Sequence, residues 1–192
     1  MPQSWKRSST YTPTDRANIR TALMDGMDTT RTASATNADG PKTTGSDGLS
    51  ATQRQALSAF VKVADGISRS LAADDLKAFN QQAVQLASVL PALKKELTTP
   101  HPLGALIDRL TAATDGNPAP NLGEARTRFL TFSTATAELA KVLRKTDPKF
   151  SGLKIYHCPM APKPGLWMQA NSPLANPFYG AKMLTCGDEV IE

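Results

Sequence analysis

Asn121-Leu122-Gly123-Glu124-Ala125-Arg126-Thr127-Arg128-Phe129-Leu130-Thr131-Phe132-Ser133-Thr134-Ala135-Thr136-Ala137-Glu138-Leu139-Ala140-Lys141-Val142-Leu143 is the stretch that decides the fold. Asn121 is an N-cap residue with Glu124 three positions on, the signature of a helix start. Ala125, Phe129, Phe132, Thr136, Leu139 and Leu143 then recur in steps of four and three, which lays one apolar stripe along about five turns of helix. Thr136 is the polar member of that stripe, and its hydroxyl can bond the Phe132 carbonyl four residues back. A stripe of this length needs helical partners in the same layer.

Those partners lie upstream. Ser50 with Gln53 forms a capping box, after which Leu57, Phe60, Val61, Ala64, Ile67 and Leu71 keep a helical period to about Ala72. Asp74 or Asp75 caps a second helix with Leu76, Phe79, Ala83, Leu86 and Leu90 on one face, and Pro91 is expected to kink or end it, with Leu93 and Leu97 on a further turn or two. Thr98-Thr99-Pro100-His101-Pro102 reads as a break in which His101 is a loop residue. Leu103, Leu106, Ile107 and Leu110 suggest a short third helix before the Asp115–Pro120 loop. The expected fold is all-α: an up-and-down bundle of three to four helices, with an extended, irregular C-terminal segment wrapped over it.

Residues 1–49 hold almost no large aliphatic side chains outside Ile19 to Leu23, and read as a flexible linker or tail ahead of a domain at 50–192. A short helix is possible at 14–26. Met24 and Met27 near its end are a pair that chance supplies easily, and no role is assigned to them.

The chain has 192 residues, 40% of them hydrophobic, and a formal net charge of +5. Six basic and five acidic residues fall in 1–49, leaving 16 and 12 beyond, so the positive excess is spread out and gives no clustered footprint for nucleic acid. No run is long and apolar enough to span a bilayer, and no apolar core follows Met1-Pro2-Gln3-Ser4-Trp5-Lys6-Arg7 as in a signal peptide. No phosphate loop, HExxH or paired-carboxylate signature is present, so no enzyme is expected.

Chemistry concentrates after Asp147-Pro148. Leu153 to Cys158 reads as a short strand or extended segment, with Tyr156, Cys158 and Met160 on one face and Ile155 and His157 on the other. Five prolines rule out long regular structure beyond it. Trp167, Phe178 and Tyr179 are expected to anchor the wrap, with Tyr156 beside Trp167, and a turn of helix is expected near Gly180 to Leu184. Both cysteines of the chain lie here, each near a methionine: Met160 two residues after Cys158, and Met183 three before Cys186. Thiolate and thioether are soft ligands that select Cu(I) and similar ions.

Tyr156-x-Cys158-Pro159-Met160-Ala161, then Trp167, then Asn176-Pro177-x-Tyr179-Gly180-x-x-Met183-Leu184-x-Cys186-Gly187 resembles an uncharacterised bacterial domain family. That family is often fused to the C-terminus of periplasmic adaptor (membrane fusion) subunits of heavy-metal RND efflux pumps. The resemblance implies a periplasmic, metal-associated accessory domain that partners efflux adaptor or pump components, on a chain that is a piece of a longer adaptor.

Three readings of the cysteine pair stay open. Cys158 and Cys186 can form a disulfide closing a loop of about 28 residues. They can join Met160 and Met183, with His157 as a further candidate, in a site for Cu(I) or Ag(I). Or they can be buried thiols packed as small hydrophobes. All but the third require the two cysteines to lie close in the fold, although 27 residues separate them. Asn176 is read as a turn residue bonding its own backbone.

Overall fold

The computed structural model describes residues 48–98 and 100–191. By contacts the chain divides into Met1–Thr44 and Gly45–Glu192, and all the described residues belong to the second unit. Residues 1–47 of the expected linker, with the short helix at 14–26 and the Met24/Met27 pair, lie outside the described residues, whereas Leu49 at its end is buried in the core and its carbonyl accepts from Arg54.

Among the described residues there are four helices: α1 (Ala51–Ala72), α2 (Leu76–Glu96), α3 (Gly104–Ala112) and α4 (Leu122–Thr146). Their starts follow local chemistry. Ser50 and Gln53 close the capping box on α1, Asp75 accepts the Ala78 N–H to cap α2, and Asn121 accepts the Glu124 N–H to cap α4. Helix α2 does not end at Pro91 but runs on to Glu96. Pro91 and Ala87, four residues back, are both exposed, so the carbonyl that the proline leaves without a donor can face water. Gln53 at the start of α1 donates to the Glu96 carbonyl at the end of α2, which sets these two helices antiparallel.

The expected stripe of α4 is inside: Ala125, Phe129, Phe132, Thr136, Leu139 and Leu143 are all buried. The Thr136 hydroxyl donates to the Phe132 and Ser133 carbonyls, so its place in the core leaves no polar group unpaired.

The chain is mostly helical but not all-α. After a short 3-10 turn at Pro148–Phe150, three strands form an antiparallel sheet in the order β2-β1-β3: β1 (Lys154–His157), β2 (Leu166–Gln169) and β3 (Asp188–Glu189). Ile155 and Tyr156 are buried on opposite faces of β1, so the strand is covered on both sides. The strand expected within Leu153–Cys158 is β1, whereas β2 and β3, of four and two residues, carry no legible period, so the rest of the segment reads as irregular in sequence.

An aromatic chain joins this sheet to the helices. Phe60 on α1 meets Phe132 edge-on at 6.2 Å, Phe132 meets Phe129 at 6.4 Å, and Phe129 meets Phe178 at 5.5 Å. Phe178 then meets Trp167 at 5.9 Å, and Trp167 meets Tyr156 at 5.4 Å. Such offset and edge contacts add to the area buried.

Candidate thiol site

The C-terminal segment is fastened to the helices by polar groups at two places. On α1, Asp65 is buried and accepts from the Ala170 N–H at 2.8 Å, from Asn171 Nδ2 at 2.9 Å and from Arg69 Nε at 3.0 Å. At the α1–α2 turn, Asp74 accepts from Arg126 and from the Ala181 N–H, while Arg126 also donates to the Leu71 and Pro177 carbonyls. The Arg126 hydrogen bond, followed by the Ala181 N–H, holds the Asp74 carboxyl below its ordinary range. Gly180, with φ of 58°, passes directly over this pair, and any side chain there would collide with the Asp74 carboxylate and the Arg126 guanidinium.

Held in this way, residues 154–187 bring the two cysteines together. Cys158 follows the last residue of β1 and is fully buried, and Cys186 lies half-buried just before β3. Both are free thiols, with no bridge between them. Burial, then the neighbouring Cys158, push the Cys186 thiol above the ordinary thiol range. Asp188 adds to that shift.

Asn176, fully buried, spans the pair. Its Nδ2 lies 3.2 Å from Cys158 Sγ and 2.7 Å from the Cys186 carbonyl, while its Oδ1 accepts the Phe178 N–H at 2.8 Å. The turn expected of Asn176 is there in the last of these bonds. Its other end, the contact with sulfur, had no sequence signal.

The other candidates are placed differently. Met160 does not share a buried face with Cys158. The strand ends at His157, and Cys158 to Ala161 form a tight turn closed by the Ala161 N–H on the Cys158 carbonyl at 3.2 Å, which turns the Met160 side chain to solvent at 60% exposure. Met183 is half-buried on the 3-10 turn Gly180–Met183, and its carbonyl accepts the Cys186 N–H at 3.1 Å. His157 is half-buried at the strand end, where its side chain alternates away from the cysteine next to it. Among the described residues, no group of three or more His, Cys, Asp or Glu side chains gathers in one place. The four-coordinate shell of those ligands that structural zinc takes is therefore not built here. Cys158 and Cys186 are the two thiols that the fold brings to the Asn176 amide.

The aromatic anchors all bear on this region. Tyr156 and Trp167 are buried against each other, and the half-buried Tyr179 donates its hydroxyl to the Met160 carbonyl, pinning the turn after Cys158. Gly187, beside Cys186, has φ of 153° and lies close against the indole: a Cβ there would come within 2.6 Å of the Trp167 ring.

Fold and site together define a mostly helical domain whose small C-terminal sheet carries a packed pair of free thiols. Compared with protein-family models, curated proteins and solved structures, the chain matches none of them.

Proposed function

We propose that this is a periplasmic accessory domain associated with a heavy-metal efflux adaptor, in which Cys158 and Cys186 hold one Cu(I) or Ag(I) ion between their sulfurs. The observation that supports it is that two cysteines with 27 residues between them converge on one buried side-chain amide, Asn176, whose Nδ2 bonds the Cys158 sulfur and the Cys186 carbonyl. Soft thiolate donors select such ions, and the ion replaces the protons that the thiols carry. Met183, next to Cys186 through its backbone bond, is the candidate third ligand, whereas Met160 faces solvent and is at most a point of entry. On this reading the helices form an up-and-down bundle that carries the site, and the protein is not an enzyme.

Titration of the reduced chain with Cu(I) against a competing chelator tests the proposal. Tight one-to-one binding is expected, lost in the Cys158→Ser, Cys186→Ser variant and little changed in Met160→Ala. Absence of binding by the reduced native chain sinks it.

A second reading has a specific observation behind it. Cys158 is wholly enclosed beside a partner thiol, so the pair can close as a disulfide and the domain serve as a structural or docking module. A bridge over a loop of this length contributes about 3–4 kcal/mol. Loss of that much stability on reduction, with no metal binding, would favour this reading.

A further inference from the structure

At the end of β1 remote from the cysteines, α1, the turn before β1 and the residues after β2 meet around a crevice of about 320 Å³. Its apolar lining is Val61 from α1 with Phe150 and Leu153 from the turn before the strand, all three part of the core. Its charged lining is Asp65 together with Lys62 and Lys149, both of which are exposed.

The charges on this lining do not cancel. Asp65 is already matched by Arg69 at 3.0 Å and accepts from the Ala170 N–H and Asn171 Nδ2. Asp147, two positions before Lys149, is taken by Arg54 at 3.0 Å. Among the described residues no carboxylate is ion-paired with Lys62 or Lys149. The neutral donors of the crevice are engaged as well: the Ser58 hydroxyl donates to the Arg54 carbonyl at 2.6 Å, and the Asn171 amide is the one bound to Asp65. Two ammonium groups beside an apolar surface are therefore what a molecule entering the crevice meets.

We propose that this crevice binds a small soluble phosphate monoester, its phosphate between the ammonium groups of Lys62 and Lys149 and its apolar body against Val61, Phe150 and Leu153. A phosphate monoester carries roughly 1.5 to 2 negative charges at neutral pH, which two lysines match. Lysine takes phosphate as a point charge, whereas the flat two-pronged grip on a carboxylate belongs to arginine. The volume lies at the lower end of the range of about 300–1,000 Å³ that small-molecule sites occupy, so a body of about one ring is the expected size. The thiols have no part in this site, since Leu153 precedes β1 and Cys158 follows it.

Phenyl phosphate is the probe, added to the full chain without metal and followed through the backbone amide resonances. Saturable shifts are expected at Gly152, Ala170 and Asn171 and on α1 around Lys62, and binding is expected to weaken as salt is raised. Lys62→Gln and Lys149→Gln alter exposed side chains, and each is expected to weaken binding by about tenfold. The double variant is expected to abolish it. Gly152→Asp sets a carboxylate at the crevice from a position where a Cβ meets no atom within 4 Å, and is expected to repel the probe without touching either lysine. Benzoate, with one charge, is expected to bind more weakly than phenyl phosphate. The proposal is overturned by an absence of saturable shifts at these residues, by phenyl phosphate binding that persists in the folded double variant or in Gly152→Asp, or by benzoate binding as tightly. A chain that ignores phenyl phosphate and responds only to vesicles containing phosphatidic acid overturns it too, because the lysines would then be a lipid contact.

Discussion

Asp65 shows how one residue can hold a segment a hundred positions away. Its carboxylate is enclosed on the core side of α1, and its three donors are a backbone N–H and a side-chain amide from the segment after β2, plus Arg69 one helical turn on. Removing it would strand those donors, so Asp65→Ala is expected to cost on the order of 3–5 kcal/mol in chemical denaturation. A loss below about 1 kcal/mol would mean the segment holds itself. Only a faint sign of this role is legible in the sequence, an acidic residue between Ala64 and Ile67 on an apolar stripe, and no sign of its partner. Asn176 was half legible for the same reason: a bond to the residue two positions on follows from local geometry, while a bond to sulfur 18 positions back follows from the fold alone.

At the level of elements, the helices were legible because each carries its own evidence: a cap, a stripe several turns long and a stop. Phe132 is the centre of that evidence on α4, in ring contact with both Phe60 and Phe129. Phe132→Ala is expected to destabilise the domain by about 3–5 kcal/mol through lost burial and the cavity left; a thermal or denaturant midpoint close to native would place the ring outside the working core. The stretch of β1 was legible as extended, but its partners β2, from Leu166, and β3, from Asp188, were not, since the pairing depends on segments far along the chain. The four-sulfur set failed at the same scale. Period-two alternation is a property of a strand, and it stopped at His157, two residues before Pro159 and the turn that exposes Met160.

Across the whole domain, Arg126 gathers three separated regions: the end of α1 through the Leu71 carbonyl, the α1–α2 turn through Asp74, and the C-terminal segment through the Pro177 carbonyl. Asp74 makes this junction sensitive to acid. Its folded carboxyl ionises more readily than in the unfolded chain, so its contribution is present above the unfolded value of 3.8 and is lost as pH falls through the lower folded one. The stability gap between the native chain and Asp74→Asn, which tolerates the same left-handed backbone, is therefore expected to be widest near neutral pH and to narrow on acidification below that value. A gap constant across the acid range would detach the carboxylate charge from the junction.

The close approach of Gly187 to Trp167 has an optical consequence. The indole is enclosed, is one residue away from Cys186 through that glycine, and stacks with Tyr156 two positions before Cys158. The chain's only other tryptophan is Trp5. In a Trp5→Phe background the intrinsic emission comes from Trp167 alone, and whatever happens at the two sulfurs, whether ion capture, proton loss or bridge formation, is written into the brightness and colour of a single fluorophore that the protein already contains.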